Sequence, residues 1–239
     1  MAATRKLFLG VIPARSGSKT IKNKNIKLLN GIPLIAHSIR AAQKSKYLSD
    51  CIVSTNSKAF AEVARRFGGK VPFLRPAHLA QDKTPTMPVV KHALLEYEKM
   101  TGRHYDYVVL LQPTTPLRLA KDIDRAIELM SQNPQTDNIV SCYKSENVHP
   151  KKMYVVKNGR AHHYIKGNDG MFRRQDVEKM YIRNGSVYVL RRDLVLKEKM
   201  FGERPMLMEM PRLRSIDIDM MDDWILTELI MQKKLRGHA

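Results

Sequence analysis

Residues 7–25 read LFLGVIPARSGSKTIKNKN, an apolar run that stops at Pro13 and opens into a loop holding Arg15, Ser16, Gly17, Ser18, Lys19, Lys22, Lys24 and Asn25. A buried strand that empties into a Gly/Ser/Lys/Arg loop is how α/β proteins converge backbone N–H groups and cations on one polyphosphate. A solvated basic loop after an ordinary strand has the same local composition, and the GxxxxGK[ST] pattern of a P-loop is absent. The flanking chain decides for an α/β fold. Residues 7–12, 51–54, 71–74, 107–111 and 138–143 read as strands. Between them, 34–45, 58–67, 88–100 and 122–131 carry apolar residues at helical spacing, the second ended by Gly68-Gly69. Such alternation predicts one domain over residues 1–239, a mostly parallel sheet with helices on both faces. Ligands of such sheets bind at the carboxyl ends of the strands. The loops after Pro13, Ser54, Leu74, Leu111 and Tyr143 are therefore expected around one site.

The alternation breaks at about residues 145–183, rich in Gly and basic residues, with a short strand at 153–156. This inserted excursion reads as a lid or a subunit contact, being too long for a simple connection. Strand character returns at 186–190 and, as an outer strand, at 206–210. Residues 221–233 read as a closing helix, with Asp222 and Asp223 where the helix dipole favours acids.

The chain has 239 residues, 43% of them hydrophobic, enough for one large core. Its net charge of +19, from 42 Lys and Arg against 23 Asp and Glu, draws anions: phosphorylated or carboxylated small molecules, or nucleic acid. The basic residues are scattered and no helix-turn-helix or zinc-finger pattern stands out, so nucleic-acid binding stays the alternative. No apolar run reaches the roughly 20 residues that span a bilayer. Cys51 and Cys142 lie in strand-like segments and read as buried thiols of a reducing compartment, which makes a cytoplasmic protein the expectation.

Three further motifs could carry chemistry. Residues 110–118, LLQPTTPLR, follow a strand directly, and Gln112 offers donor and acceptor groups to a polyhydroxy ligand. A plain Pro-bounded turn is the other reading. Residues 214–219, RSIDID, place Asp217 and Asp219 on one side of an extended segment. Two such carboxylates suit Mg²⁺ that takes its other ligands from phosphates and water, or they are solvent-facing acids. Residues 172–176, FRRQD, offer arginines for a carboxylate or phosphate, or form an exposed charged loop.

Taken in order, IPARSGSKTIKNKNI, RPAHLAQDKTPT, LQPTTPLR, RRQDVEKMYIRNGSVYVL and RSIDID resemble the acylneuraminate cytidylyltransferases, also called CMP-sialic acid synthetases, including legionaminate-type members. The resemblance covers residues 7–230. It implies a Rossmann-like nucleotidyltransferase three-layer sandwich, a homodimer, and activation of a nine-carbon sugar acid by CTP and Mg²⁺. By motif position, Arg15, Ser18, Lys19, Lys24, Asn25, Arg75 and Thr86 would bind the nucleotide. Gln112, Thr114, Thr115, Lys152, Arg174 and Tyr188 would bind the acceptor sugar or the leaving pyrophosphate. Asp217 and Asp219 would carry the metal and, with Arg15 and Lys24, the catalysis. Thr86 and Thr115 stand where serine is more usual, and Met220-Met221 where a polar pair is. No His or Glu is placed as a general base. The acceptor stays open among N-acetylneuraminate, legionaminate, pseudaminate and Kdo.

Overall fold

The computed structural model describes residues 6–145, 148–165 and 178–236. The chain runs β1 (Phe8–Pro13), β2 (Leu28–Leu29), β3 (Ile32–Pro33), α1 (Leu34–Gln43), β4 (Asp50–Ser54), α2 (Lys58–Arg66), α3 (Thr86–Thr101) and β5 (Tyr107–Leu110). It continues through α4 (Ala120–Gln132), β6 (Asn138–Ser145), β7 (Tyr154–Lys157), β8 (Arg160–His163), β9 (Met180–Arg191), α5 (Arg192–Leu196), β10 (Pro205–Glu209) and α6 (Met221–Arg236).

The main sheet has the order β10-β6-β9-β5-β1-β4. β1 pairs in parallel with β4 and β5, and β10 in parallel with β6. β9 is antiparallel to both neighbours, β5 and β6, so it alone runs against the other strands. The expected strand at 186–190 is the end of this 12-residue strand. The expected strand at 71–74 is absent, leaving only the bridges Ile52–Lys70 and Thr55–Leu74. Pro72 lies between them, and without an N–H it cannot donate to a ladder.

Alternation along the strands builds the three layers. Phe8 and Ile12 of β1 pack with Ile35, Ile39, Ala64, Ile123 and Ile127, the layer of α1, α2 and α4. Leu9 and Val11 point the other way, to Val90, Leu94 and Val195 of α3 and α5. A third, smaller cluster of Ile21, Leu29, Leu34, Ile218 and Trp224 joins the first loop to the last helix. In the excursion, β7 and β8 form a hairpin outside the main sheet. Its base belongs to the sheet, because β6 and β9 stay paired out to Ser145 and Met180. Among the described residues no helix is long and apolar enough to cross a membrane.

Asp50, at the amino end of β4 and far from the carboxyl edge, gathers four donors. Lys70 Nζ, Arg103 Nη1, Tyr97 Oη and Tyr105 Oη reach its carboxylate at 2.8, 2.7, 3.2 and 2.7 Å. Burial pushes this carboxyl up, but bonds from Lys70, Tyr105 and Tyr97 outweigh it and hold the group below its ordinary value. Asp50→Asn should therefore lower unfolding free energy by about 2 kcal/mol at neutral pH, the scale of hydrogen bonds to a charge. The contribution is complete above the unfolded-state pKa of about 3.9 and is lost as pH falls through the lower folded-state value. Urea melts of wild type and D50N should converge in acid.

Candidate active site

The loop after β1 leaves from between two strands, with Ala14 N–H donating to Ser54 O at 2.9 Å. It turns through left-handed residues at Gly17 (φ 86°) and Asn23 (φ 53°). Asn56 clasps it, accepting from Ser16 N–H at 3.0 Å and donating to Ser16 Oγ at 2.9 Å. Asn25 holds it from within, donating to Arg15 O at 3.0 Å. Lys24, only 9% exposed, donates from Nζ to Ile218 O at 2.6 Å and lies 3.6 Å from Asp219 Oδ1. The first loop is thereby fastened across the cleft to the segment carrying the aspartates.

That segment is fixed from several sides. Ile218 N–H donates to Thr114 O at 2.8 Å, and the Thr114 hydroxyl hydrogen-bonds Asp217. Arg214 pairs with Asp122 of α4 at 2.5 Å. Buried Asn184 of β9 donates to Ser215 Oγ at 2.8 Å and accepts from Ser141 Oγ of β6 at 2.6 Å. Next to it, Gly185 (φ 69°) leaves room for both walls. A Cβ there would come 2.5 Å from Gln112 Oε1 and 3.1 Å from Asp217 Oδ2.

Between the walls lies a cavity of about 510 Å³. Arg15, Ser18, Lys19, Lys24, Asn25, Arg75, Thr86, Gln112, Thr114 and Asp219, all expected from motif position, line it together. Arg75 is buried, donating to Ser54 O at 2.5 Å; burial and then Arg15 push its guanidinium down to about 10, still charged at neutral pH. α3 begins at Thr86 on the cavity wall, and its cap residue is Pro85, whose side chain bonds none of the first amides. A helix start of this kind favours an anion.

The expectations differ from the structure at the back of the site. Thr115 does not face the cavity: it is fully buried, donating to Gln112 O at 3.1 Å and accepting from Arg118 at 3.1 Å. Its hydroxyl closes the turn, where a hydroxyl between two prolines has its nearest acceptor. Tyr188 is also buried, in the core between β5 and β6, and is not part of the cavity wall. Lys152 lies in the excursion, away from that wall, and Arg174 falls outside the described residues. Asn56, Asp82 and Gly185 were not singled out as site residues. Asp82 was visible as the acid of the AQDK stretch, but its pairing with Arg15 at 2.6 Å and Lys19 at 2.8 Å exists only in three dimensions.

A divalent cation fits the aspartate pair. Asp217 Oδ1 is buried with no hydrogen-bond partner among the described residues. Burial, and then neighbouring Asp219 and Asp223, raise the Asp217 pKa against the Thr114 hydroxyl and the charge of Lys24. A cation would satisfy the orphaned oxygen and relieve that repulsion. No group of three or more His, Cys, Asp or Glu is arranged to hold a metal ion by itself among the described residues. Mg²⁺ does not need one, since one or two carboxylates with phosphates and water suffice.

Comparisons with known proteins show the family. The cytidylyltransferase family model matches residues 9–229. The chain is 35% identical to a CMP-N,N'-diacetyllegionaminic acid synthase of Legionella pneumophila, over 94% of this chain and 96% of that protein. It is 34% identical to an N-acylneuraminate cytidylyltransferase of Streptococcus agalactiae over 90% of its length, spanning 51% of that longer protein. Among solved structures, the CMP:2-keto-3-deoxy-manno-octonic acid synthetase complexed with CTP superposes with a TM-score of 0.71 at 18% identity, over 96% of this chain and 100% of that one, a likeness of fold. With its motifs gathered around one cationic cavity, the chain belongs to the cytidylyltransferase family.

Proposed function

We propose that this protein is a CMP-nonulosonic acid synthetase: it transfers the cytidylyl group of CTP to a sialic-type sugar acid and releases pyrophosphate. One observation carries the reading. A single cavity gathers Arg15, Lys19, Lys24, Arg75 and the start of α3 with Gln112, Thr114 and Asp219, two residues from Asp217. The first group suits a triphosphate and the second a polyhydroxy acceptor beside a metal.

In this reading the acceptor's anomeric oxygen bonds to the α-phosphorus of CTP as the bond to the β-phosphate oxygen breaks. Arg15, Lys19 and Lys24 neutralise the triphosphate and the charge that builds on departing pyrophosphate. Gln112, oriented over side-chain-free Gly185, holds the sugar, and Thr114 holds Asp217. Asp217 and Asp219 would hold Mg²⁺, which supplies charge neutralisation on the phosphates when bound. The acceptor is N-acetylneuraminate or a close analogue such as a diacetyllegionaminate, in line with relatives of both kinds at 34% and 35% identity.

We also propose a cytoplasmic homodimer. The hairpin of β7 and β8 exposes Tyr154, Val156 and, just beyond it, Tyr164, with Val156 72% exposed. A second copy covering this surface would bury them. Cys51 and Cys142 are free thiols, pushed up by burial to about 12 and about 11.

CTP with Mg²⁺ should raise the melting temperature by mass action more than ATP or GTP does. Pyrophosphate should then be released from CTP when one sugar acid of a panel is added. Arg15→Ala and Asp219→Ala should stay folded and lose at least tenfold in kcat/KM; full turnover in both would refute the assignment. Gly185→Ala should raise the acceptor KM at least tenfold by displacing Gln112, while the strained φ lowers stability by about 1–3 kcal/mol. Val156→Glu should shift the particle from dimer to monomer in light scattering.

A further inference from the structure

Asp82 lies in the loop between Arg75 and α3, and its carboxylate oxygens are divided between two cations of the β1 loop. Oδ1 accepts from Arg15 Nη1 at 2.6 Å, and Oδ2 lies 2.8 Å from Lys19 Nζ. Asp82, Arg15 and Lys19 all line the 510 Å³ cavity. A carboxylate held between a guanidinium and an ammonium occupies donors that a phosphate would use, with the same charge-assisted geometry. A phosphate seated on these cations while Asp82 stays would set two anions side by side. One must leave.

The loop allows Asp82 to be the one. Its backbone bonds are Leu79 N–H to Pro76 O and Thr84 N–H to Gln81 O; the second closes a turn around Asp82, whose own N–H and C=O take part in neither. Its ion pairs are partly exposed, with Lys19 75% and Asp82 38% accessible, and such pairs are weak enough to be displaced.

We propose that Asp82 is the resident anion of the triphosphate seat, displaced when CTP binds and returning to Arg15 and Lys19 as pyrophosphate departs. It lowers affinity for both ligands and speeds product release. This inference rests on the proposed function, since it takes the Arg15–Lys19 side of the cavity as the seat of the β- and γ-phosphates.

The test measures binding of CTP, CMP and inorganic pyrophosphate to the full chain by calorimetry, together with inhibition of turnover by pyrophosphate. Asp82→Asn removes the charge and keeps the shape. Glu62→Gln, on the exposed face of α2, removes one negative charge away from the cavity and controls for net charge. D82N should bind CTP and pyrophosphate roughly twofold to fivefold tighter than E62Q, the upper range of a partly exposed ion pair. CMP affinity should match in the two variants, and pyrophosphate should inhibit D82N at correspondingly lower concentration. If D82N melts early, Asp82→Ser must give the same pattern. Binding of CTP by D82N that is weaker than, or equal to, that of E62Q would overturn the proposal, for Asp82 would then be a ligand contact or a bystander. Wild type that binds CTP while D82N matches E62Q removes only the role of Asp82; wild type that binds no CTP removes the proposed function as well.

Discussion

The site depends on one buried ammonium. Lys24 Nζ donates to Ile218 O at 2.6 Å across 194 residues of sequence and sits 3.6 Å from Asp219. A lysine this buried would be costly without a partner. The small cluster of Ile21, Leu29, Leu34, Ile218 and Trp224 beneath it keeps water out and sets the spacing of the two segments. The first loop and the aspartate segment therefore form together or not at all. The two segments that flank the cavity are thereby joined through one side chain.

β9 supplies the second constraint. Running against its neighbours, it brings Asn184 and Gly185 to the edge where the other strands end. Asn184 ties Ser141 of β6 to Ser215, and Gly185 lets Gln112 and Asp217 approach the same point. Arg118, behind the turn, donates to Gln112 O and Ser186 O and to Ser38 Oγ of α1, so the turn is braced against both sheet and helix. Burial pushes its guanidinium down to about 10, with Cys51 and Asp122 opposing.

The electrostatics of the cavity are divided rather than uniformly basic. Arg15, Lys19 and Arg75 crowd one side, close enough for Arg15 to lower the Arg75 pKa. Around Asp219, burial and then the neighbouring carboxylates of Asp219 and Asp223 raise that of Asp217. Each side holds unfavourable like-charge contacts that a bound counter-ion would relieve, with Asp82 as the partial relief the protein carries itself. A net charge of +19 attracts anions generally; the cavity adds a local separation of charge to it.

The sequence by itself determined the alternation of strands and helices, because burial on both faces and helical spacing are local patterns. It also marked ten residues of the cavity wall between Arg15 and Asp219, because short motifs at strand ends carry their chemistry within a few residues. Only the tertiary structure decided the direction of β9, since a buried strand reads alike whichever way it runs. It dissolved the expected strand at Pro72, whose missing N–H outweighs apolar neighbours. It turned Thr115 and Tyr188 inward, because the closest acceptor and the core face were fixed by packing rather than by residue type. Asp82 against Arg15 and Lys19, and Lys24 against Ile218, join residues 63 to 194 positions apart. No local pattern encodes such pairs; the folding of the whole sheet brings them within hydrogen-bond distance.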